Sequence, residues 1–185
     1  KHFRVLVPAL ALAACAANSS VVAGSAPTQR ADTLAWALAQ ADLAADSGDA
    51  RALKRSLRTI EALGAKPLTD SDKAALGEWK NAAATDEPPM RGRTLGPAYR
   101  SGVVSAGQKA VIQQTFYGGA PANVSLRVAT GSALKLRITD TSDRNVCEKA
   151  AREASCRWMP LYTQMHRIEL VNDQGENARY YIVFD

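Results

Sequence analysis

Histidine and serine are the residues through which this 185-residue chain could support nucleophilic hydrolysis. A serine hydrolase needs an imidazole base beside its nucleophile, and the chain has two histidines, His2 and His166. The sequence contains no Gly-x-Ser-x-Gly turn of the α/β-hydrolase type. His166 alternates in phase with Ile168 and Leu170, which favours the inward side of a strand. We therefore expect a protein that is not an enzyme, with a hydrolase acting on envelope polymers as an alternative.

The first fifteen residues have the pattern of an export signal. Basic Lys1 and Arg4 precede an apolar run over residues 5–14 that ends at Cys15. A run of about ten residues is too short to span a bilayer, which needs roughly 20, and is typical of a signal peptide. The ending Leu-Ala-Ala-Cys resembles the lipobox of bacterial lipoproteins. This resemblance implies cleavage before Cys15, lipidation of Cys15 and a membrane partner for the lipid.

An ordinary secretory signal is the alternative, because small residues also permit cleavage after Ala23 or Ala26. Either signal predicts export to the cell envelope. Ala16 stands where aspartate commonly signals inner-membrane retention in enteric bacteria, which favours the periplasmic face of the outer membrane over a soluble periplasmic or secreted form.

The remaining cysteines, Cys147 and Cys156, are expected to form a disulfide, because an exported chain reaches an oxidising compartment. Two thiolates alone do not complete the tetrahedral shell of zinc, and His166 belongs to no paired ligand motif. We predict no metal site and no cofactor.

The charge balance is mild. Removal of residues 1–15 takes away Lys1 and Arg4 and lowers the formal net charge from +5 to +3. A nucleic-acid-binding surface needs a dense stripe of Lys and Arg with interleaved aromatic residues, and no such stripe is visible. We expect no nucleic-acid partner.

The N-terminal half predicts a tether followed by helices. Residues 16–27 have a small, uncharged composition without amphipathic period, which is typical of a flexible tether. Residues 28–84 carry apolar side chains at helical spacing and predict about three helices. The expected stops and starts are Ser47-Gly48-Asp49, Gly64 with Pro67, and Thr69 with Asp72. The apolar positions are Leu34, Leu38 and Leu43 with Trp36, then Leu53, Leu57 and Ile60, then Leu76 and Trp79.

This helical region has few large side chains and a narrow apolar stripe, so we do not expect it to form a robust core by itself. It should lean on another part of the molecule as a spacer or a cover. A helical face that docks on a partner, as in a structural subunit of an envelope complex, is the alternative.

Proline and glycine over residues 85–97 predict a linker, after which strands begin. Alternation is clearest where Leu134, Leu136 and Ile138 are separated by Lys135 and Arg137. Short strands with closely spaced turns and no helical period predict an antiparallel sandwich over residues 98–185. The expected strands include residues 103–104, 110–112, 123–128, 134–138, 168–171 and 179–184. The fold class is therefore α+β, with the helices and the sandwich segregated along the chain.

Residues 98–185 also resemble the bacterial pre-peptidase C-terminal family of small jelly-roll-like sandwiches. The resemblance lies in the order of Gln-Thr-Phe-Tyr-Gly-Gly at residues 114–119, the alternating strand 134–140, the cysteine pair with Cys-Arg-Trp at 156–158, and the aromatic strand 178–181. It implies a jelly-roll-like fold and a non-catalytic, accessory role.

The same resemblance raises the question of calcium, because some related domains carry an aspartate-rich stretch at the central strand. This chain has Ala133 and Lys135 there, and neither residue supplies the oxygen ligands that calcium needs. Asp140, Asp143 and Asn145 offer oxygens, but such a polar cluster between strands is more typical of a turn.

Five residues are candidates for a binding surface. Arg91, Arg93 and Arg100 cluster around the linker and could meet anionic glycans or headgroups. Tyr180 and Tyr181 are adjacent in a strand, so one of the two rings is expected to face solvent. The sequence thus predicts a non-catalytic envelope lipoprotein whose sandwich binds an envelope protein or a glycan.

Overall fold

Residues 26–83 and 96–185 are described by the structure, which is a computed structural model. Cys15, Arg91 and Arg93 lie outside these residues, as do the predicted signal peptide and nearly all of the predicted tether and linker. No helix within the described residues is long and apolar enough to cross a membrane.

Three helices come first in the described chain. They are α1 (Ala26–Ser47), α2 (Ala50–Ala62) and α3 (Asp70–Ala82). Gly48 follows α1 with a φ of 70°, and the Asp49 side chain caps α2 by accepting a hydrogen bond from the N–H of Ala52 at 2.9 Å. The Thr69 hydroxyl caps α3 by accepting from the N–H of Asp72 at 3.1 Å. The predicted boundaries at Asp49 and Thr69 are confirmed.

Nine strands form two sheets within the described residues. The strands are β1 (Lys66–Pro67), β2 (Ala98–Val104), β3 (Lys109–Phe116), β4 (Ala122–Thr130), β5 (Leu134–Thr139), β6 (Asn145–Ala151), β7 (Glu153–Trp158), β8 (Gln164–Val171) and β9 (Ala178–Phe184). The five-stranded sheet has the order β1-β2-β9-β4-β7, and the four-stranded sheet has the order β3-β8-β5-β6. Apart from the parallel pair β1 and β2, the strand pairs are antiparallel. The predicted α+β class with an antiparallel sandwich is confirmed.

The two sheets enclose one hydrophobic core. Leu134, Leu136 and Ile138 are each 0% exposed in this core, whereas Lys135 and Arg137 on the same strand are not buried. The alternation read from the sequence therefore gives the correct inward face of β5.

The predicted disulfide is confirmed, although its surroundings differ from the expectation. Cys147 and Cys156 are bonded, with their Cα atoms 6.1 Å apart. The sequence pattern did not predict the strands on which they lie, β6 and β7. Since β6 belongs to the four-stranded sheet and β7 to the five-stranded sheet, the disulfide joins the edges of the two sheets.

The helices form a third layer on the outer face of the five-stranded sheet. Helix α1 packs across β4 and β9, and its contact face is built of small residues that let the helix approach the sheet closely. The buried alanines of α1 are Ala31, Ala35, Ala37, Ala39, Ala41 and Ala44. The prediction that the helical region leans on another part of the molecule is confirmed. Of the apolar positions predicted in α1, Leu34 and Leu38 are 0% exposed, whereas Leu43 and Trp36 are 36% and 46% exposed.

This third layer also corrects the expectation for the tyrosine pair. Tyr180 points into the core between the sheets and Tyr181 points the other way, as strand alternation requires. Both rings are nevertheless buried, at 3% and 5% exposure, because the helices cover the face that carries Tyr181. Burial raises the pKa of both phenols, most strongly that of Tyr181 beside Asp42.

Polar contacts tie the helices to the sheet. The Ser125 hydroxyl on β4 donates to Asp32 on α1 at 2.5 Å, and Arg179 on β9 forms an ion pair with Asp42 at 2.9 Å. On α3, the Asp72 carboxylate accepts from the N–H of Ser101 on β2 at 2.9 Å. The orientation of the helical layer is therefore set by specific partners as well as by apolar burial.

Candidate binding surface at one end of the sandwich

The loops of the sandwich gather at two opposite ends, because its long strands run antiparallel. The tip end carries the loops of residues 117–121, 140–144 and 159–163. The polar end carries the loops of residues 105–108, 131–133 and 172–177. Helix α1 starts at the tip end, since Arg30 Nε lies 3.0 Å from the Oδ2 atom of Asp185, which follows β9.

Exposed apolar side chains are concentrated at the tip end. Half of the large hydrophobic residues that are exposed in the described parts of the chain lie on or beside two of its loops. We call this group the apolar tip, and it consists of Tyr117 (73% exposed), Met159 (61%), Leu161 (81%), Tyr162 (74%) and Met165 (47%). An exposed cluster of this kind commonly marks an interaction site.

The two loops of the apolar tip are bonded to each other. The N–H of Gly118 donates to the Thr163 hydroxyl at 3.0 Å, and the N–H of Gly119 donates to the carbonyl oxygen of Pro160 at 2.8 Å. Gly119 adopts a φ of 73°, which glycine accepts without strain. A Cβ atom on Gly118 would lie 2.8 Å from the backbone of Tyr162, so glycine is needed for this close approach. The apolar side chains are therefore carried on a braced platform.

An aromatic cluster supports the platform from inside the sandwich. The ring of Phe116 lies 4.8 Å from that of Trp158 and 5.4 Å from that of His166, between centroids. His166 is 1% exposed, and its Nδ1 atom lies 3.3 Å from the carbonyl oxygen of Gln164. The inward position predicted for His166 is confirmed, and a substrate in solvent has no access to this imidazole.

A cleft of about 580 Å³ adjoins the apolar tip between the end of β3 and the start of β2. Its lining combines the ring of Tyr117 with polar side chains of Lys66, Gln114 and Asp185. The volume lies in the range of about 300–1,000 Å³ that small ligands occupy.

The third loop of the tip end has the turn chemistry expected from its sequence. Asp140 Oδ1 accepts hydrogen bonds from the N–H groups of Ser142 at 2.8 Å and Arg144 at 3.1 Å, and Oδ2 accepts from Arg144 Nε at 2.8 Å. Burial by itself would raise the pKa of Asp140, but these hydrogen bonds and the Arg144 charge hold it below its ordinary value. The carboxylate is thus occupied by its own loop. No cluster of three or more metal-binding side chains occurs among residues 26–83 and 96–185.

Three of the five predicted binding residues belong to the described part of the chain. Arg100 is half-buried on β2, Tyr180 and Tyr181 are buried, and Arg91 and Arg93 lie outside the described residues. Tyr180 and Tyr181 are therefore not available as a surface, because both faces of their strand are covered.

Sequence reasoning missed most of the apolar tip. None of Tyr117, Met159, Leu161, Tyr162 and Met165 was among the residues predicted as a binding surface. A usable signal was present: Tyr117 precedes a Gly-Gly pair, and residues 159–162 read Met-Pro-Leu-Tyr. Large apolar side chains beside turn-forming glycine and proline indicate an apolar loop rather than a buried strand.

No protein-family model matches the chain, and the comparison with curated proteins also finds no match. Solved structures do show similarity to it. One is the pre-peptidase C-terminal domain of collagenase from Bacillus anthracis, at 13% identity and a TM-score of 0.40, covering 47% of this chain and 87% of that one.

A second similar structure is the Yersinia pseudotuberculosis-derived mitogen, at 12% identity and a TM-score of 0.41, covering 48% of this chain and 84% of that one. A third is PliG of Aeromonas hydrophila, a periplasmic inhibitor of g-type lysozyme, at 6% identity and a TM-score of 0.39, covering 65% of this chain and 94% of that one. These similarities are at the level of a β-sandwich. They do not single out the pre-peptidase C-terminal family.

Proposed function

We propose that this protein is a non-catalytic binding or accessory module of the bacterial cell envelope, anchored by lipid at Cys15, and that its contact surface is the apolar tip. The observation that carries the proposal is the concentration of exposed Tyr, Leu and Met side chains on two mutually bonded loops. Exposing such a cluster to water is unfavourable unless a partner covers it.

The surroundings of the histidine support a non-catalytic role. His166 is enclosed by Phe116 and Trp158 and is 1% exposed, so it is not placed to act as a base toward a bound substrate. Two of the described carboxylates at the tip end, those of Asp140 and Asp185, are each engaged by an arginine.

The braced loops support binding rather than enzymatic turnover. A surface whose backbone is already fixed loses little conformational freedom when a partner covers it. Tyr117 and Tyr162 have few rotatable bonds, so they lose little freedom on binding. Each has an apolar ring and a polar hydroxyl, a combination that suits contact with protein, glycan or lipid headgroups.

Site-specific photocrosslinking in the living envelope tests the proposal. A benzophenone amino acid is placed at Leu161 in the apolar tip and, as the matched control, at the exposed Gln108 of the polar end. We expect covalent adducts with protein, glycan or lipid from position 161 that are absent from position 108. Equal adduct patterns at the two positions, or none at position 161, would remove the apolar tip as the contact surface.

A further inference from the structure

We propose that the partner of the apolar tip is the surface of the lipid bilayer that holds the N-terminal anchor. This inference rests on the proposed function, from which it takes the lipid at Cys15 and the apolar tip as the contact surface. It assigns the protein an orientation, with the tip end against the membrane and the polar end facing away.

The first support is the position at which the chain enters the fold. Helix α1 begins at Ala26, and Arg30 in its second turn is paired with Asp185. Asp185 in turn exchanges backbone hydrogen bonds with Asn123, at 2.8 and 3.0 Å, directly after the loop of residues 117–121. The chain before residue 26 is therefore attached to the same end of the sandwich as the apolar tip.

The second support is the length of chain between the predicted anchor and the fold. Ten residues separate Cys15 from Ala26. At about 3.3–3.6 Å per residue, even a fully extended chain of this length keeps the start of α1 within about 40 Å of the lipid. The polar end lies about 30 Å from the tip end, because β4 has nine residues at about 3.3 Å each. A tether of this reach therefore allows the tip end, to which it is attached, to contact the bilayer while the polar end points away from it.

The third support is the chemistry of the two loops. Residues 117–121 read Tyr-Gly-Gly-Ala-Pro and residues 159–163 read Met-Pro-Leu-Tyr-Thr, without a charged side chain. Tyrosine is enriched at membrane–water interfaces, and leucine and methionine gain by burial at the boundary of the acyl chains.

The backbone hydrogen bonds of the two loops also suit an environment with little water. The N–H groups of Gly118 and Gly119 are both used in bonds between the two loops. Unpaired backbone donors are costly in lipid, so the pairing of these two N–H groups lowers the cost of entering the interfacial layer. Arg157, exposed just before the loop of residues 159–163, is placed to meet anionic headgroups at the rim.

Fluorescence depth measurement on the full mature protein tests the inference. The intact mass of protein purified from cells first establishes whether Cys15 carries lipid. A single cysteine is introduced by Leu161→Cys or, as the control, Gln108→Cys, and is labelled with an environment-sensitive dye. The native cysteines do not compete, because Cys147 and Cys156 are bonded and Cys15 would be acylated. The labelled protein is then inserted into vesicles of phosphatidylethanolamine and phosphatidylglycerol that contain acyl-chain spin labels.

We expect blue-shifted emission and spin-label quenching at position 161, and neither at position 108. Adding Tyr117→Asp to the protein labelled at position 161 should abolish the quenching. Val103→Asp, which places the same charge at an exposed valine outside the tip, should leave it intact.

The other outcomes separate the two proposals. Equal quenching at both positions, or none at either, overturns the membrane contact. If quenching is absent but position 161 crosslinks to a protein or a glycan, the binding function stands and the lipid partner is rejected. If position 161 gives neither quenching nor adducts, both proposals fail. A mature chain without lipid overturns the inference at its first step.

Discussion

The two ends of the sandwich close their loops in different ways. At the polar end, buried side chains bond to backbone: Asn172, 0% exposed, donates to the carbonyl oxygen of Val104 at 3.0 Å and to that of Glu176 at 2.6 Å. At the tip end, Gly118 and Gly119 make the closing bonds through their backbone, and the large side chains point outward. The polar end uses the Asn172 side chain for stability, whereas the two loops of the apolar tip keep their large side chains available for contact.

The difference shows how one scaffold separates stability from recognition. Both ends are held by hydrogen bonds between loops that are distant in sequence, so both are ordered. Among the described loops of the two ends, those at the tip end carry the large exposed apolar side chains. Exposure in an ordered loop is therefore a better indication of a contact surface here than aromatic content of the strands, whose Tyr180 and Tyr181 are buried.

The largest expected effect tests how tightly the polar end is closed. Gly131 has a φ of 85°, and a Cβ atom there would lie 1.7 Å from the carbonyl oxygen of Asn177. We expect Gly131→Ala to lower the free energy of unfolding by at least about 3 kcal/mol, because it combines an unfavourable φ with a backbone clash. Urea unfolding followed by circular dichroism measures this.

Gly175→Ala is the matched control in the same group of loops, since a Cβ atom at Gly175 would meet nothing within 4 Å. It should change the free energy of unfolding by less than about 0.5 kcal/mol. If Gly131→Ala and Gly175→Ala change the free energy of unfolding by the same amount, the close approach of Gly131 to Asn177 does not hold the polar end together.

The next effect concerns the disulfide that joins the sheets. Replacing both Cys147 and Cys156 by alanine should lower the free energy of unfolding by roughly 2 to 3 kcal/mol, because the bond closes a loop of about ten residues in the unfolded chain. Denaturation of the wild-type protein with and without dithiothreitol should give a similar difference. The double variant should be insensitive to the reductant, and a stability that reduction leaves unchanged would contradict the structural role of the bond.

A smaller effect is expected at the tip end. Gly118→Ala would place a Cβ atom 2.8 Å from the backbone of Tyr162 and Thr163, so the two loops must separate slightly. We expect a loss of about 1–2 kcal/mol in the free energy of unfolding.

Tyr117→Ser replaces a ring that is 73% exposed. Its free energy of unfolding should stay within about 0.5 kcal/mol of the wild-type value, while contact through the apolar tip is weakened. A large loss of stability in Tyr117→Ser would mean that the tip is structural.

The smallest expected effects concern the pKa values of two carboxylates at opposite ends of the sandwich. At the tip end, the hydrogen bonds from Ser142 and Arg144 overcome burial and lower the pKa of Asp140. Toward the polar end, burial of Asp42 on α1 outweighs the Arg179 charge and raises its pKa. Carboxyl NMR titration should show Asp42 titrating above the ordinary aspartate range and Asp140 below it.

The two shifts have opposite consequences for stability. The contribution of Asp140 is present above the ordinary pKa of aspartate and is lost as the pH falls through its lowered pKa. The ionised carboxylate of Asp42, whose pKa is raised, opposes folding near neutral pH. This destabilisation decreases as the pH falls toward the raised pKa of Asp42 and the carboxylate becomes protonated. The cost of Asp140→Asn should therefore shrink in acid. A cost that does not change with pH would indicate that the Asp140 carboxylate is not engaged as described.

Much of the fold was predictable because its determinants are local. Asp49 and Thr69 mark helix starts by their own hydrogen bonds, and the alternation of β5 identifies its inward face without reference to any partner strand. Strands β6 and β7 were not predicted. The exposed residues of β6 show little alternation, and β7 alternates but has only the small Ala154 and Cys156 as buried residues, so the pairing of both strands depends on β5 and β4.

The candidate surface was less predictable than the fold. Side-chain alternation correctly placed Tyr180 and Tyr181 on opposite faces, but it could not reveal that alanines of α1 cover one of these faces. The apolar tip joins Tyr117 to Leu161 and Tyr162 across more than forty positions of sequence, through the pairing of β3 with β8. Neither segment alone indicates that the two loops meet.

The sequence by itself determined the three helices, most of the strands, the cysteine pair and the inward position of His166, because each depends on local periodicity, turn residues or composition. The tertiary structure alone decided which apolar side chains remain in water. Exposure depends on what the rest of the chain places above a residue, and here the helices bury Tyr181 while the braced loops leave Leu161 exposed.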